Sequence, residues 1–268
     1  MALSVESLSP WLDPNLSSHL FMLAGIFLLG GLVRGATGFG GAMVMILPLA
    51  TIFSMPQAIA ISFVLEFFGP LFLLKAALRR VKESRESIVL LKSFLIWSVL
   101  GLPLGSVLQS HLNSELVGLI ASMTIAGIAL AMLVGLKSFA LKVSVRLTRG
   151  VAVVCGTLIT LTGVSGPIVA TYFLLGVSDG LLTRAMMHVY VTLICIFTLA
   201  ILFGLGLAGP EVLPVLVLGL PIYILASSAG QRLTDLMSPY RLRQLVLVFI
   251  LISSIMFLIR FSPVLLDV

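Results

Sequence analysis

Long apolar runs occupy most of this chain and leave no interval large enough for a separate soluble domain. Three of them, residues 57–78, 88–108 and 182–207, are each long enough to cross a bilayer as one helix, which takes about 20 apolar residues. Only 10% of the residues are charged, whereas a soluble domain has about 25%. The pattern predicts an all-α polytopic membrane protein and excludes a soluble enzyme, a disordered chain and a secreted disulfide scaffold.

Two other apolar regions, residues 20–53 and 150–177, are interrupted by polar, glycine-rich breaks. The first break reads Arg34-Gly35-Ala36-Thr37-Gly38-Phe39-Gly40-Gly41, and the second reads Thr162-Gly163-Val164-Ser165-Gly166-Pro167. The pieces beside each break hold about 11 to 15 residues, or roughly 16–22 Å of helix, which is shorter than a hydrocarbon core of about 30 Å. We therefore expect two broken-helix hairpins.

The two breaks resemble each other and predict an internal duplication. Residues 37–41 correspond to residues 162–166 at an offset of 125, and residues 99–103 match residues 217–221 at an offset of 118. A longer basic loop around residues 79–86 would explain the difference between the offsets. The expected segments are a lead-in at 1–19 without a cleavable signal peptide, a first repeat at 20–137, a basic cytoplasmic linker at 138–149, a second repeat at 150–261 and a tail at 262–268.

The positive charges favour one topology over another. If each broken region forms a hairpin that returns to its own side, the second repeat is inverted and 14 of the 16 Lys and Arg residues lie inside. If both regions simply cross, eight spans result and only 11 lie inside, with Arg184 among those placed outside. Cytoplasmic loops carry the excess of basic residues in membrane proteins. We therefore expect two inverted repeats, each a hairpin plus three transmembrane helices, with both termini external.

The breaks have the composition of a ligand site at membrane depth. Irregular backbone there is tolerated where it lines a cavity, and paired breaks in two halves are typical of transporter binding sites. Half-helices beginning near Gly41 and Pro167 would direct two positive N-termini at the breaks, which favours an anion. The competing explanation is that glycine and threonine only allow close helix packing. The candidate substrate-binding residues are Arg34, Thr37, Gly38, Phe39, Gly40, Gly41, Thr162, Gly163, Ser165 and Gly166.

Three ionisable residues within the apolar regions are further candidates. Arg34 either binds the anionic substrate or forms a structural ion pair with Glu66, unless it snorkels to a hairpin edge. Glu66 either carries a coupling proton or serves as counter-ion to Arg34, and the second role is slightly favoured because one pairing neutralises both charges. His188 is either a proton relay or a packed polar residue. Tyr190 and Tyr223 are weaker candidates for substrate hydroxyl contacts.

The sequence lacks the motifs of several other classes. It contains no Walker A motif for ATP hydrolysis, no HExxH, CxxC or His/Cys ligand cluster, and no G-x-S-x-G element. Cys155 and Cys195 lie inside apolar runs, where they are expected to be core residues. We therefore expect no enzyme activity, no cofactor, no metal and no nucleic acid. The expected partners are a small anion and membrane lipid, and the sequence allows a homodimer without predicting one.

These features resemble the sulfite exporter TauE/SafE family, the anion permeases of the sulfonate-uptake superfamily. The resemblance is carried by the entry to each half, Gly31-Leu-Val-Arg-Gly35-Ala-Thr-Gly38-Phe-Gly40-Gly41 and Gly156 with residues 162–166, by the basic loop at 75–85, and by Gly-Leu-Pro-Leu-Gly at 101–105. Ser165 and Pro167 depart from the family's glycine-rich pattern. The resemblance implies multi-pass residence in a bacterial inner membrane and secondary transport of small sulfur-containing anions such as sulfite, sulfonates or sulfoacetate-like compounds.

The leading functional hypothesis is a secondary transporter that exports such an anion by alternating access between inverted halves. The alternatives are an anion channel, whose pore the hairpin tips would line, and an uptake permease for other small organic anions. A membrane scaffold and a membrane enzyme are disfavoured, because the chain offers neither an effector domain nor a catalytic cluster.

Overall fold

The computed structural model describes residues 16–69, 71–133, 144–177 and 179–236, together with 248, 251 and 254–259. All regular elements in these ranges are helical, which confirms the all-α class: α1 Leu16–Thr37, α2 Gly41–Leu49, α3 Met55–Phe68, α4 Leu71–Lys82, α5 Arg85–His111, α6 Ser114–Leu133, α7 Val145–Thr162, α8 Gly166–Val177, α9 Gly180–Gly204 and α10 Leu213–Leu236. Five of these, α1, α5, α7, α9 and α10, are long and apolar enough to cross a membrane.

Several expectations fall on parts of the chain outside the described residues. They concern most of the lead-in, the linker up to residue 143, the tail at 262–268, and the basic residues Lys137, Lys142, Arg241, Arg243 and Arg260. The predicted repeat boundaries and the membrane orientation of the halves therefore remain predictions.

The helices before the two breaks are longer than the sequence predicted. α1 has 22 residues and α7 has 18, and either is long enough by length and composition to cross a membrane alone. α7 extends back through Arg146 and Arg149, two exposed residues whose long stems let a helix continue past the apolar run. Only the helices after the breaks are short, with 9 residues in α2 and 12 in α8. The expectation of two short pieces per break was therefore wrong for α1 and α7.

The apolar run at 57–78 is not one straight helix, contrary to the prediction. α3 ends at Phe68 and α4 begins at Leu71, and the axes of Met55–Phe68 and Leu73–Lys82 differ by 75°. The sequence has Gly69-Pro70 at this junction. Proline removes a helical hydrogen bond and clashes with the preceding turn, so it ends or kinks helices.

Each broken region folds back as a hairpin. The breaks turn at left-handed glycines, with φ of 82° at Gly38, 89° at Gly40 and 73° at Gly163, a conformation that residues with a Cβ rarely adopt. In the second region the hydroxyls of Thr148 in α7 and Tyr172 in α8 are 2.7 Å apart. Because these residues precede and follow the break, the contact shows that α8 returns alongside α7.

The two halves pack reciprocally. α1 packs mainly on α10, and α7 packs mainly on α5. Gly31 of α1 lies against the carbonyl oxygen of Tyr223, and Gly156 of α7 lies against that of Ser98. Gly31 and Gly156 are 125 positions apart in the sequence, and so are Ser98 and Tyr223. The close approach requires glycine, since a Cβ at either position would overlap the facing backbone.

The same offset relates the helix starts in the two halves. Gly41 and Gly166 begin α2 and α8, Met55 and Gly180 begin α3 and α9, and Arg85 and Pro210 begin α5 and the 3-10 turn that leads into α10. Each pair differs by 125 positions. Residues 217–221 therefore correspond to residues 92–96, so the match at an offset of 118 does not mark equivalent positions. The uniform spacing favours an internal duplication, of which the inverted orientation remains a prediction.

One ion pair places two connections at the same end of the molecule. Arg80 Nη2 at the end of α4 lies 3.8 Å from Asp179 Oδ2, which caps the start of α9. An eight-span arrangement would put these two connections on opposite sides of the membrane. The hairpin arrangement puts them on the same side, so the ion pair favours the hairpin topology, which remains a prediction.

Candidate functional site

A small cavity lies where the two breaks meet. Its volume is about 50 Å³, and its lining includes Phe39 and Gly40 from the first break and Ser165 and Gly166 from the second. A Cβ on Gly166 would lie 3.6 Å from the Phe39 ring and 4.0 Å from the Gly40 nitrogen, so the two breaks are in contact. The fold thus brings together the segments that the sequence singled out, and directs the N-termini of α2 and α8 toward one place.

Arg34 is the buried cation of this cavity. Its relative exposure is 2%, and Nη1 donates a hydrogen bond to the carbonyl oxygen of Gly38 in the break. Nε lies 2.8 Å from Glu66 Oε2, an ion-pair contact without hydrogen-bond alignment. Nη2 is buried and has no hydrogen-bond partner among the described residues. An Arg group that retains an unpaired donor beside a cavity can bind an oxyanion there.

Glu66 occupies the N-terminus of α2. Its relative exposure is 3%, and Oε1 accepts a hydrogen bond of 3.0 Å from the backbone N–H of Ala42 in the first helical turn. A helix N-terminus carries a partial positive charge that stabilises a carboxylate. The sequence had assigned this helix end to a substrate anion, whereas the structure places an acidic side chain of the protein there.

The N-terminus of α8 differs, because its first turn contains no acidic residue. Ser165 precedes this helix, and its hydroxyl neighbours that of Tyr190, which donates a 3.0 Å hydrogen bond to Ser98 Oγ. Tyr190 is held by an aromatic cluster that joins α5, α8 and α9, with its ring centroid 5.6 Å from that of Phe94 and 5.9 Å from that of Phe173. Ser165 and Tyr190 both line the cavity.

The predicted threonines are engaged locally. Thr37 Oγ1 donates to the backbone of its own turn and break, including the Val33 carbonyl at 2.9 Å, and Thr162 Oγ1 donates to the Leu158 carbonyl at 2.9 Å. Neither threonine is part of the cavity lining. Gly38 and Gly41 shape the first break and the start of α2, and Gly163 lines the cavity from the second break.

Arg184 is a residue of this site that sequence reasoning missed. It lies half-buried in α9, and Nη2 donates a 3.0 Å hydrogen bond to the carbonyl oxygen of Gly35. Its side chain also packs over Gly38, so two guanidinium groups face the end of α1. The sequence feature that could have indicated Arg184 was its spacing of one helical turn from His188. His188 is 8% exposed, and its Nδ1 has no hydrogen-bond partner in the described part of the chain.

The two halves contribute similar backbone to the site but different charges. At the offset of 125, Arg34 corresponds to Ile159 and Glu66 corresponds to Val191, and both apolar residues line the cavity. Arg34 and Arg184 outnumber Glu66, and each converging helix N-terminus adds about half a positive charge. The local charge balance favours an anion in this cavity of about 50 Å³.

Comparisons with known proteins agree with this picture. The model of the family described as sulfite exporter TauE/SafE matches residues 23–257, which is most of the chain. No curated protein and no solved structure matches it.

Proposed function

Because the chain belongs to the sulfite exporter TauE/SafE family, we propose that it moves small sulfur-containing anions, sulfite first among them, by secondary transport. Membership in this family supports a multi-pass membrane transporter or permease. The finer assignment is supported by one observation above all. Arg34, whose buried Nη2 has no hydrogen-bond partner in the described ranges, lines a cavity of about 50 Å³ between two converging helix N-termini.

The size of the cavity supports sulfite over larger sulfonates. Its volume of about 50 Å³ leaves room for an ion of a few heavy atoms. The apolar part of the lining, which includes Ile159, Val191 and Ile194, offers no hydrogen bonds to a polar organic group. A sulfoacetate-like compound would require the hairpins to separate further.

The proposed mechanism is alternating access between the two halves, arranged as inverted repeats. Reciprocal packing of α1 on α10 and of α7 on α5 supports a two-fold relation, with each hairpin held by the opposite half. Rocking of the hairpins against each other would expose the cavity to each side in turn. In a bacterial inner membrane, an inside-negative potential would assist export by about 2.3 kcal/mol per negative charge per 100 mV.

Flux into proteoliposomes tests the cargo. Purified protein is reconstituted, and entry of radiolabelled sulfite is compared with that of methanesulfonate, sulfoacetate and sulfate, with protein-free vesicles as the baseline. We expect saturable sulfite entry and progressively slower entry of the larger sulfonates. Sulfite entry no faster than in empty vesicles would overturn the proposed cargo.

An anion channel remains the second candidate function, because the hairpin tips and Arg34 would also suit a narrow pore. Counterflow separates the two. With the membrane potential held near zero by K⁺ and valinomycin, vesicles preloaded with unlabelled sulfite accumulate labelled sulfite transiently if the protein is a carrier. Under the same conditions a channel lets the label equilibrate without overshoot, and it produces unitary currents in planar bilayers.

A further inference from the structure

The carboxylate of Glu66 makes the contacts that an oxyanion in this cavity would make. One oxygen, Oε2, lies 2.8 Å from Arg34 Nε, and the other, Oε1, accepts the 3.0 Å hydrogen bond from Ala42 N–H. A guanidinium edge and a helix N-terminus are two of the commonest anion ligands in proteins. The negatively charged carboxylate of Glu66 therefore occupies part of the proposed anion site.

Arg34 and Glu66 both line the cavity, so an anion bound there would lie beside the pair. Nη2 of Arg34, which has no hydrogen-bond partner within the part of the chain that the structure describes, would be the first donor for such an anion. Both further donors, Nε and the Ala42 N–H, are held by the carboxylate. Two anions held this close in a poorly hydrated site repel each other, so the two occupants weaken each other's binding.

The packing around Glu66 supports a role beyond charge neutralisation. A Cβ at Gly41 would lie 2.6 Å from both Glu66 Oε1 and Tyr223 Oη, so the glycine provides the space in which the carboxylate reaches the helix end. The corresponding position in the second half, Val191, carries no charge, and the start of α8 has no acidic residue. The competing carboxylate of α3 therefore lies at the first hairpin, and the equivalent position at the second hairpin has no acidic residue.

We infer that Glu66 is a built-in competitor of the transported anion, exchanging with it at Arg34 Nε and at the N-terminus of α2. This inference rests on the proposed anion site and adds a role for Glu66 within it. When the anion binds, the carboxylate gives up these donors. When the carboxylate returns, it displaces the anion, so the protein binds its cargo weakly enough to release it.

The test is anion binding to Glu66→Gln. Glutamine keeps the size of the side chain and an oxygen that can accept from Ala42 N–H, but removes the competing charge. Glu66→Asp is the matched control, since it keeps the charge. Binding of sulfite, sulfate and acetate to detergent-purified protein is measured by isothermal titration. We expect Glu66→Gln to bind at least one of these anions about tenfold or more tightly than wild type, and Glu66→Asp to stay near wild type.

The same variant should also change both KM and kcat for transport. If release depends on return of the carboxylate, Glu66→Gln lowers both KM and kcat for flux. A purely structural ion pair predicts instead a protein of lower stability with no gain in affinity. Because Glu66→Gln leaves Arg34 without a counter-ion, a second variant combines Arg34→Gln with Glu66→Gln; it removes both charges and should bind none of the three anions.

The outcomes distinguish the inference from the proposed function. Wild-type sulfite binding with no tighter binding in Glu66→Gln would overturn the inference and leave the function standing. Tighter binding of sulfate or acetate alone would support the inference and overturn sulfite as the cargo. Failure of every variant to bind any of the three anions would overturn both.

Discussion

Arg184 differs from Arg34 in being half-buried, with its guanidinium at the end of α1 rather than in the cavity. It therefore suits the capture of an approaching anion more than its retention. We predict that Arg184→Gln raises the KM for sulfite flux about threefold to tenfold and changes kcat less. It should also weaken the dependence of flux on ionic strength, because salt screens exposed charges most.

The control for this prediction is Lys92→Gln, which removes an exposed charge on α5. Initial rates in proteoliposomes at low and high salt measure both effects. If Arg184→Gln keeps the wild-type KM and salt dependence, its guanidinium serves only to bind the Gly35 carbonyl.

The contacts of individual side chains were the least predictable feature of the site. The breaks themselves were predictable, because glycine, threonine and arginine stand out within apolar runs. The position of Glu66 at the start of α2 was not, since it depends on how α3 packs beside the first hairpin. Arg184 was counted only among the charges that decide the topology, for a similar reason: its hydrogen bond to Gly35 joins residues 149 positions apart.

At the scale of elements, the close packing of α7 on α5 depends on Gly156. A Cβ at this position would overlap the Ser98 carbonyl oxygen, and backbone cannot move aside as a flexible side chain can. We predict that Gly156→Ala destabilises the protein by about 1–3 kcal/mol, the usual cost of overpacking, and lowers the thermal midpoint in detergent.

Gly127→Ala provides the matched control, because a Cβ on this exposed glycine of α6 would meet no atom within 4 Å. Its thermal midpoint should equal or slightly exceed that of wild type, as alanine favours helix over glycine. Equal midpoints for the two variants would contradict the reciprocal packing described above.

Helix boundaries show what an apolar pattern can predict. The runs at 88–108 and 182–207 correspond closely to α5 and α9, because nothing interrupts them. The run at 57–78 was mistaken for one helix, although Gly69-Pro70 was visible in it. The match at an offset of 118 misled because a Leu-, Val- and Gly-rich chain repeats short strings by chance, whereas the offset of 125 recurs in helix starts and in packing.

At the scale of the whole molecule, the hairpin topology makes a prediction that the eight-span topology contradicts. Cysteines introduced one at a time at Arg80 and at Asp179, in a chain without Cys155 and Cys195, should react with a membrane-impermeant maleimide from the same side. Both positions are about half exposed, with side-chain values of 46% and 48%. Asn113→Cys, in the connection between α5 and α6, should react from the opposite side. Labelling of positions 80 and 179 from opposite sides would exclude the hairpins.

The proposed transport depends on binding of the anion at Arg34, between the two breaks. The most direct measurement is sulfite counterflow in proteoliposomes containing wild type, Arg34→Gln or Lys82→Ala, the last removing an exposed charge on α4. We expect a transient overshoot of labelled sulfite for wild type and Lys82→Ala, and none for Arg34→Gln that elutes as a folded species from a sizing column. A wild-type overshoot in Arg34→Gln would contradict binding of the anion at Arg34.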